Sequence, residues 1–306
     1  MTGKIGLVGL GLVGTAITES LLARGFEAVG VDIDLQRRAA FEKLGGKWAS
    51  SLAEVAAQAE RVILSLPDTN AVEQVIEGSG LVGATLRGCP EGRHMGLPLH
   101  KYIIDTTTGD PEQTVALAAR LAEKGIAFLD ATISGSSEQV RKREAVFMVG
   151  GDKEAFEKCR DIFDALAQKV FYLGPSGCGS KAKLASNLIL GLNRLALAEG
   201  LVFAEKLGLD LQVFLELLKA TPAYSAIMDT KGQKMLKGDF TAQARVRQHH
   251  KDVCLILKYA EKAGQELPLS RVHFDVLQRA IEAGDADLDN SAIIKELRRR
   301  TTRPGQ

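Results

Sequence analysis

Two polar residues stand in an otherwise apolar stretch of the chain. Lys183 and Asn187 are four residues apart, and residues 177–208 have the composition of one long helix. Side chains four apart on a helix lie on the same face, one turn from each other. An ammonium and a carboxamide on a buried face need polar partners, which a bound substrate could supply. This pair is therefore a candidate acid–base site. The alternative is that Lys183 extends to solvent and Asn187 caps a neighbouring segment.

A glycine-rich turn near the start of the chain is typical of dinucleotide binding. The apolar residues 4–10 predict a buried strand, residues 15–24 predict a helix, and the turn between them has the spacing G-x-G-x-x-G. In this pattern the first glycine permits a tight turn, the second lets a pyrophosphate approach the backbone, and the third lets the helix pack closely. The helix N-terminus then offers N–H groups to the phosphates. The predicted cofactor-binding residues of the turn are Gly9, Gly11, Leu12, Val13 and Gly14.

A carboxylate at the end of the next predicted strand bears on the choice of cofactor. The strand at residues 27–32 ends in Asp32, about 20 residues beyond the turn, where a carboxylate binds the ribose hydroxyls of NAD and repels the 2′-phosphate of NADP. Arg37 and Arg38 follow closely and could soften that preference. We therefore expect NAD as the cofactor, with NADP as the alternative.

Strand and helix patterns continue to alternate through residue 175. Buried strands are expected at residues 61–66, 101–105, 126–131, 145–149 and 169–172, with helices at 69–76, 112–124 and 154–166. Residues 78–100 are interpreted as a helix remnant and an enlarged loop. The alternation predicts a doubly wound, mostly parallel sheet of the Rossmann type, with ligands beyond the C-terminal ends of the strands. The residues expected at such ends are Leu66, Pro67, Thr108, Ser134 and Gly135.

The second half of the chain is predicted to be helical. Helices are expected at residues 211–220, 225–236, 245–263, 271–283 and 291–300, separated by glycines and prolines. The predicted fold class is therefore α/β, with an all-α domain joined to the sheet domain by the long helix. We place a dinucleotide-binding domain at residues 1–175 and a helical substrate and oligomerisation domain at residues 176–306.

Charged and metal-binding residue types in the helical half suggest no separate site. His249 and His250 would diverge by about 100° on a helix and do not suit one metal ion. We interpret both, and His273, as packing residues, and we expect no metal. Lys251 and Asp252 are interpreted as a solvated charged pair unless their helix faces the cofactor.

Composition narrows the class of protein further. The formal net charge of the 306 residues is +1, so no global field attracts nucleic acid or an anionic membrane. The four cysteines, at 89, 159, 178 and 254, lack C-x-x-C spacing, which argues against a zinc site or disulfide frame and suits a reducing cytosol. We count no cleavable signal and no apolar run of the roughly 20 residues of a membrane span. We expect a soluble, cytoplasmic protein without nucleic-acid or membrane partners.

Several segments, taken in order, resemble the β-hydroxyacid dehydrogenase family, which includes 3-hydroxyisobutyrate dehydrogenase and tartronate semialdehyde reductase. The resemblance covers nearly the whole chain. It is carried by residues 9–14, by Phe128-Leu-Asp-Ala-Thr-Ile-Ser134-Gly135, by Met148-Val-Gly-Gly151, by Gly177-Cys-Gly with Lys183 and Asn187, and by Lys251-Asp252 after Asp239-Phe240.

The resemblance implies an NAD(P)-dependent dehydrogenase of a small 3-hydroxy acid, which would reduce the semialdehyde in reverse. It implies that Lys183 is catalytic, that Asn187 helps hold the substrate hydroxyl, and that Ser134 and Gly135 receive the substrate carboxylate. It also implies a homodimer or homotetramer formed through the helical domain. The residues that it places near the nicotinamide are Leu66, Pro67, Thr108 and Lys251.

A lysine and an amide on one helical face suit the oxidation of a hydroxyl group to a carbonyl. Hydride leaves the carbon for the nicotinamide, and neutral Lys183 could accept the hydroxyl proton. The resulting ammonium would polarise the carbonyl in the reverse reaction. Burial and the positive charge of the oxidised nicotinamide would both lower the pKa of this lysine.

Departures from the family pattern surround the expected acid-binding loop. Ser136 stands where the family usually has a second glycine, and Arg141-Lys-Arg143 replaces small residues. A more polar substrate, such as a polyhydroxy or sulfonated acid or its semialdehyde, therefore stays open. Two other functions are also open: an imine reductase-like, NADPH-dependent enzyme, and a non-catalytic nucleotide-sensing module on the same fold. Imine reductases generally lack the lysine found at 183, and a sensing module would be expected to lose Lys183 and Asn187.

Overall fold

The computed structural model describes residues 3–78 and 102–300. The chain forms two compact units, Met1–Lys183 and Leu184–Gln306, and one helix runs from the first unit into the second. Lys183 is the last residue of the first unit, and Asn187 belongs to the second. Most of the expected loop at residues 78–100, the first residue of the strand expected at 101–105, and Cys89 lie outside the described residues.

Within the described residues, eight strands form one sheet in the first unit. Its order is β3-β2-β1-β4-β5-β6-β7-β8, and every neighbouring pair is parallel except β6 and β7. The first six strands have the order of a doubly wound dinucleotide-binding sheet, which confirms the predicted fold class. The strands are β1 (Lys4–Val8), β2 (Glu27–Val31), β3 (Lys47–Trp48), β4 (Arg61–Leu64), β5 (Tyr102–Asp105), β6 (Ala127–Ser134), β7 (Val146–Gly150) and β8 (Lys169–Gly174).

Helices alternate with these strands. α1 begins three residues before the expected start, because Gly11 is the N-cap and the turn leads directly into the helix. The helix expected at 154–166 is two helices, since Cys159 has a non-helical backbone with φ −105° and ψ 7°. The helices are α1 (Leu12–Leu22), α2 (Arg37–Lys43), α3 (Leu52–Gln58), α4 (Thr69–Glu73, extended by a π-helical turn at Gln74–Gly78), α5 (Pro111–Ala122), α6 (Ser137–Arg141), α7 (Lys153–Lys158) and α8 (Arg160–Leu166).

The central strands of the sheet are buried on both faces, whereas β8 at one edge exposes Phe171 and Leu173. Successive residues of β4 alternate between two hydrophobic clusters, with Ile63 in one and Val62 and Leu64 in the other. Ile17 of α1 packs in the first cluster and Leu117 of α5 in the second. A strand covered on both faces reads as a continuous apolar run, which is why these strands could be predicted from the sequence.

The second unit is helical throughout its described residues, apart from one isolated bridge, as predicted. Several helices start or end in a π or 3-10 turn, so their bounds differ from the expected ones by a few residues. The helices are α9 (Cys178–Lys206, starting in the first unit), α10 (Leu211–Lys219), α11 (Gln233–Lys237, after a π turn at Met228–Gly232), α12 (Val246–Lys262), α13 (Pro268–Ala280, followed by a π turn at Ile281–Asp285) and α14 (Ile293–Arg299, after a 3-10 turn at Asn290–Ala292).

A buried ion pair links separate parts of the helical unit. The Lys231 ammonium donates to both carboxylate oxygens of Asp289 at 2.9 Å. Asp289 also accepts hydrogen bonds from the backbone N–H groups of Gln243, Ala244 and Ser291. With these partners the buried carboxylate is well compensated, as a buried charge requires.

The length and apolarity of α9 correct one expectation. Its 29 residues are long and apolar enough to cross a membrane by length and composition, judged over an 18-residue window. Half of that window is buried within the protein, however. The buried face carries Lys183, Asn187 and Arg194, so α9 has the character of a core helix with a polar stripe.

Candidate active site

The glycine turn between β1 and α1 has the close packing that its spacing requires. Gly9 has φ +89°, and a Cβ there would lie 2.3 Å from the Ser65 carbonyl oxygen. A Cβ on Gly14 would lie 2.0 Å from the carbonyl oxygen of Gly9. No side chain caps α1, so its first turn directs backbone N–H groups outward. This cradle fits the pyrophosphate of a dinucleotide.

Asp32 is held against this turn. Its Oδ2 accepts from the backbone N–H of Leu10 at 2.6 Å, and its Oδ1 accepts from that of Asp34 at 2.8 Å. Arg37 Nη1 lies 3.5 Å from Asp32 Oδ2, and a Cβ on Gly11 would lie 3.0 Å from the same guanidinium nitrogen. A carboxylate and a guanidinium therefore flank the middle glycine together. The second arginine of the sequence motif, at 38, is instead paired with Glu42 on α2.

The loops after β4 and β5 are joined to each other. The hydroxyl of Thr106 donates to the Leu64 carbonyl at 2.7 Å, and the backbone N–H of Leu66 donates to the Thr107 hydroxyl at 3.1 Å. Because β1, β4 and β5 are parallel neighbours, these loops leave the same edge of the sheet as the glycine turn. The structure thus places Leu66, Pro67 and Thr108 beyond the C-terminal ends of these strands, where they were expected from the sequence.

The predicted acid-binding residues end the adjacent strand. Ser134 is the last residue of β6, and Gly135 follows with φ +148°, where a Cβ would lie 2.9 Å from that of Ala145. Ser136 then caps α6 in a capping box: its hydroxyl accepts from the Gln139 N–H at 3.3 Å, and its own N–H donates to Gln139 Oε1 at 2.8 Å. The serine that replaces the family glycine therefore uses its backbone N–H inside the loop.

Lys183 and Asn187 are both buried, with 7% and 5% of their surface exposed. Their spacing on α9 places them one turn apart on the same helical face. Gly191 and Arg194 continue this face, and Arg194 is 2% exposed. Three polar side chains, those of Lys183, Asn187 and Arg194, are therefore buried on one face of α9 over about three turns.

Asn187 has a hydrogen-bond partner that was not predicted from the sequence. Its Nδ2 donates to Asp252 Oδ2 at 2.9 Å, and Asp252 is buried on α12. The interpretation of Lys251 and Asp252 as a solvated pair is therefore wrong for Asp252, although Lys251 Nζ lies 3.3 Å from Asp252 Oδ1 and is about a quarter exposed. Asp252 determines which way the amide points, because it binds the nitrogen end.

Two histidines pack against the same helix further along. A Cβ on Gly191 would lie 2.5 Å from His249 Nε2 and 2.6 Å from His273 Cε1, so the glycine makes room for both rings. The ring centroids are 5.1 Å apart. Burial, followed by the charge of Arg194, lowers the pKa of His273 to about 3. Burial likewise lowers the pKa of Arg194 to about 10, against the opposing effect of Asp289 and Asp252.

Comparison with known proteins covers both units. Residues 4–174 match the family model described as the NAD binding domain of 6-phosphogluconate dehydrogenase. Residues 177–297 match the family model described as NAD-binding of NADP-dependent 3-hydroxyisobutyrate dehydrogenase. Each half of the chain is therefore similar to part of a nicotinamide-dependent dehydrogenase.

Individual proteins are similar over nearly the whole length. The chain is 30% identical over 293 residues to 2-(hydroxymethyl)glutarate dehydrogenase of Eubacterium barkeri, covering 95% of this chain and 94% of that protein. It is 29% identical over 299 residues to 2-hydroxy-3-oxopropionate reductase of Escherichia coli strain K12, covering 96% and 97%. A solved structure of 3-hydroxyisobutyrate dehydrogenase from Salmonella typhimurium has a TM-score of 0.83 at 26% identity, covering 95% and 99%. The chain therefore belongs to the β-hydroxyacid dehydrogenase family, as an NAD(P)-dependent enzyme that acts on a hydroxy acid.

Proposed function

We propose that the protein oxidises a small 3-hydroxy acid with NAD, in the manner of a 3-hydroxyisobutyrate dehydrogenase, and reduces the semialdehyde in the reverse direction. The observation that carries this proposal is the burial of Lys183 and Asn187 on one face of α9, with Asn187 hydrogen-bonded to Asp252. A lysine and a carboxamide in a largely apolar setting can share one substrate hydroxyl.

Lys183 is proposed to move the proton of the reaction. When bound, NAD accepts the hydride from the carbon that carries the hydroxyl group. Lys183 Nζ, as a neutral amine, takes the hydroxyl proton as the carbonyl forms. Burial favours the neutral amine over the ammonium. In reduction the ammonium of Lys183 returns the proton to the developing alkoxide.

Asn187 is proposed to hold the same hydroxyl. One of its two amide N–H groups is committed to Asp252, which leaves the other N–H and the carbonyl oxygen for the substrate. Because Asp252 fixes the amide orientation, Asn187 needs no rearrangement when the substrate binds. Preorganisation of this kind makes an interaction more effective in the transition state.

The acid group of the substrate is proposed to bind at Ser134 and Gly135. The N–H of Ser136 already donates to Gln139, so the carboxylate would rest on the Ser134 hydroxyl and the Gly135 N–H. This arrangement differs from a loop with two glycines and is compatible with a more polar acid than 3-hydroxyisobutyrate.

Cofactor choice is proposed to follow Asp32 and Arg37. The Asp32 carboxylate disfavours a 2′-phosphate, and Arg37 beside it weakens that discrimination. We infer a preference for NAD with residual use of NADP. The residues proposed to lie near the nicotinamide are Leu66, Pro67, Thr108 and Lys251.

The protein is proposed to be a cytoplasmic homodimer or homotetramer that associates through the helical unit. Large apolar side chains are exposed along α9, α10 and the turn between them, and such patches often mark subunit contacts. They include Ile189, Phe203, Leu207, Val213 and Leu217. Light scattering after size exclusion would give the subunit number, and a monomer at micromolar concentration would contradict this part of the proposal.

A spectrophotometric panel tests the reaction. Absorbance at 340 nm would measure the formation of NADH or NADPH from 3-hydroxy acids, and its consumption by their semialdehydes. The assay would be run on wild type, Lys183→Ala and Lys181→Ala. Lys181 is an exposed lysine on the same helix and serves as the matched control. Lys183→Ala should lose about 10²–10⁴-fold in kcat while still binding NADH, as measured by fluorescence, and Lys181→Ala should behave like wild type.

Two results would contradict the proposal in different ways. Near-normal activity of Lys183→Ala with cofactor bound would refute the role of the lysine. Turnover of cyclic imines with NADPH, without turnover of any hydroxy acid or semialdehyde, would refute the proposed substrate class.

A further inference from the structure

We propose that Asp130 and Thr132 of β6 are positioning residues that hold Lys183 in register with the Ser134–Gly135 loop. The inference rests on the proposed roles of Lys183 and Ser134. Asp130 and Thr132 precede Ser134 by four and two residues, so the three side chains point to the same face of the sheet. One strand therefore ends in the acid-binding loop and carries the two side chains that bind the start of α9.

The Asp130 carboxylate accepts hydrogen bonds from the backbone at the start of α9. Its Oδ1 accepts from the backbone N–H of Gly177 at 3.0 Å, and its Oδ2 accepts from that of Ser180 at 2.8 Å. Only 1% of its surface is exposed. A carboxylate at this end of a helix satisfies N–H groups that have no partner within the helix and interacts favourably with the helix dipole. Burial raises the pKa of Asp130, and these N–H groups oppose that rise.

Thr132 binds the backbone of α9 one helical turn before Lys183. Its hydroxyl donates to the Gly179 carbonyl oxygen at 3.0 Å. In an α-helix this same carbonyl accepts the backbone N–H of Lys183, four residues on. Thr132 and the backbone of Lys183 therefore share one acceptor, and the hydroxyl connects β6 to the hydrogen bond that holds Lys183 in the helix.

Glycines make this contact close. A Cβ on Gly179 would lie 2.2 Å from the Asp130 carbonyl oxygen and 2.6 Å from that of Met148. A Cβ on Gly150 would lie 2.6 Å from Asp130 Oδ1 and 2.8 Å from the Gly179 nitrogen. The helix start is therefore in direct contact with the backbone of β6 and β7, and no side chain separates them.

Only a few residues separate the Thr132–Gly179 hydrogen bond from the two proposed functional groups, Ser134 and Lys183. Ser134 is two residues, about 7 Å, beyond Thr132 along the strand, and Lys183 is four residues, about 6 Å, beyond Gly179 along the helix. Displacement of the helix start would move the amine relative to the acid-binding loop. A misplacement of about 1 Å can cost on the order of 10²-fold in rate.

Isosteric variants separate positioning from simple stability. Thr132→Val keeps the shape and removes the hydroxyl donor, and Thr132→Ser keeps the donor. Ser20→Ala is the matched control, because the Ser20 hydroxyl is also buried and donates to a backbone carbonyl, that of Ala16, at 2.9 Å. Measurements would be kcat and KM on the best acid of the panel, the pH profile of kcat, the thermal midpoint and NADH binding.

Thr132→Val should lower kcat about tenfold and shift the pH profile of kcat, with little change in the KM for the cofactor. Thr132→Ser should restore kcat to within about twofold of wild type. Ser20→Ala should lose a similar amount of thermal stability with unchanged kcat. Unchanged kcat in Thr132→Val, or failure of Thr132→Ser to restore it, would overturn the inference.

A readout without turnover separates this inference from the proposed function. Hydrogen exchange of a peptide covering residues 178–187 should increase in Thr132→Val and stay at the wild-type rate in Ser20→Ala. Unchanged exchange in Thr132→Val would refute the inference even if no tested acid is oxidised. The proposed function is refuted separately, by the activity of Lys183→Ala.

Discussion

Mild acid should destabilise the helical unit through one imidazole, that of His273. The ring is almost completely buried against Gly191 and the ring of His249, and Arg194 places a positive charge nearby. Burial and this charge lower its pKa to about 3, from an ordinary value of 6.5. Between about pH 3 and pH 6.5, His273 is therefore neutral in the folded protein and protonated in the unfolded chain.

The sign and size of the effect follow from this difference. Because the pKa is lowered in the folded state, the stabilisation is complete above pH 6.5 and is lost as the pH falls from 6.5 towards 3. Each pH unit in that window removes about 1.4 kcal/mol from the free energy of unfolding. Between pH 7.5 and pH 4.5, about 2 to 3 kcal/mol should be lost through His273 alone.

Urea unfolding followed by circular dichroism at 222 nm would measure this loss on wild type and on His273→Leu at both pH values. The variant lowers stability at every pH because it alters the core, so the informative quantity is the difference between the two pH values. The single tryptophan, Trp48 in β3, reports separately on the sheet unit by fluorescence. His250→Leu is the comparison variant. Burial also lowers the pKa of the half-buried His250, so this variant should remove a smaller part of the pH dependence than His273→Leu does.

Parallel pH dependence of wild type and His273→Leu would refute this reasoning. A direct check is the proton resonance of the His273 ring in folded protein. We expect the His273 ring to stay unprotonated down to about pH 4.5. A titration midpoint near 6.5 would show that the ring is not buried in the folded protein.

Further substitutions test the packing of α9 and the buried ion pair. Gly191→Ala would bring a methyl group within 2.5 Å of His249 Nε2 and should cost about 1–3 kcal/mol of unfolding free energy. Gly200→Ala on the same helix meets nothing within 4 Å and should be neutral or stabilising by up to about 1 kcal/mol; equal thermal midpoints for the two variants would refute the steric argument. Lys231→Met leaves Asp289 buried without its cation and should cost about 3–5 kcal/mol. Further replacement of Asp289 by Asn removes the unpaired charge and keeps one oxygen as an acceptor for the backbone N–H groups that bind Asp289. It should therefore recover part of that loss in urea unfolding, and no recovery would contradict the electrostatic explanation.

The elements that the sequence predicted best are those whose burial is uniform. β1 and β4 are apolar because both of their faces are covered, and α9 is long, apolar and bounded by glycines. Short elements with mixed exposure, such as α2 and β3, had no comparable pattern. The break at Cys159 was also hidden from the sequence, because neither glycine nor proline marks it.

The candidate site was predictable in its residue types and not in its supporting contacts. Lys183 and Asn187 were placed on one buried face by their spacing and by the apolar residues around them. The partner of Asn187 is 65 residues away, and Asp130 is 47 residues from Gly177. Periodicity identifies the face of an element that is buried, but it carries no information on which distant residue covers that face. Asp130 stands within the strand expected at residues 126–131, but its role as an acceptor for the start of α9 was not predicted from the sequence.

The polar stripe of α9 has a consequence for biosynthesis. A helix of this length and hydropathy resembles a membrane segment when it leaves the ribosome, before the rest of the protein can cover it. Arg194 lies two residues from its midpoint, where an arginine opposes transfer into a bilayer by about 2.5–3.5 kcal/mol. The same guanidinium that is buried in the folded helical unit therefore opposes partition of this helix into a bilayer.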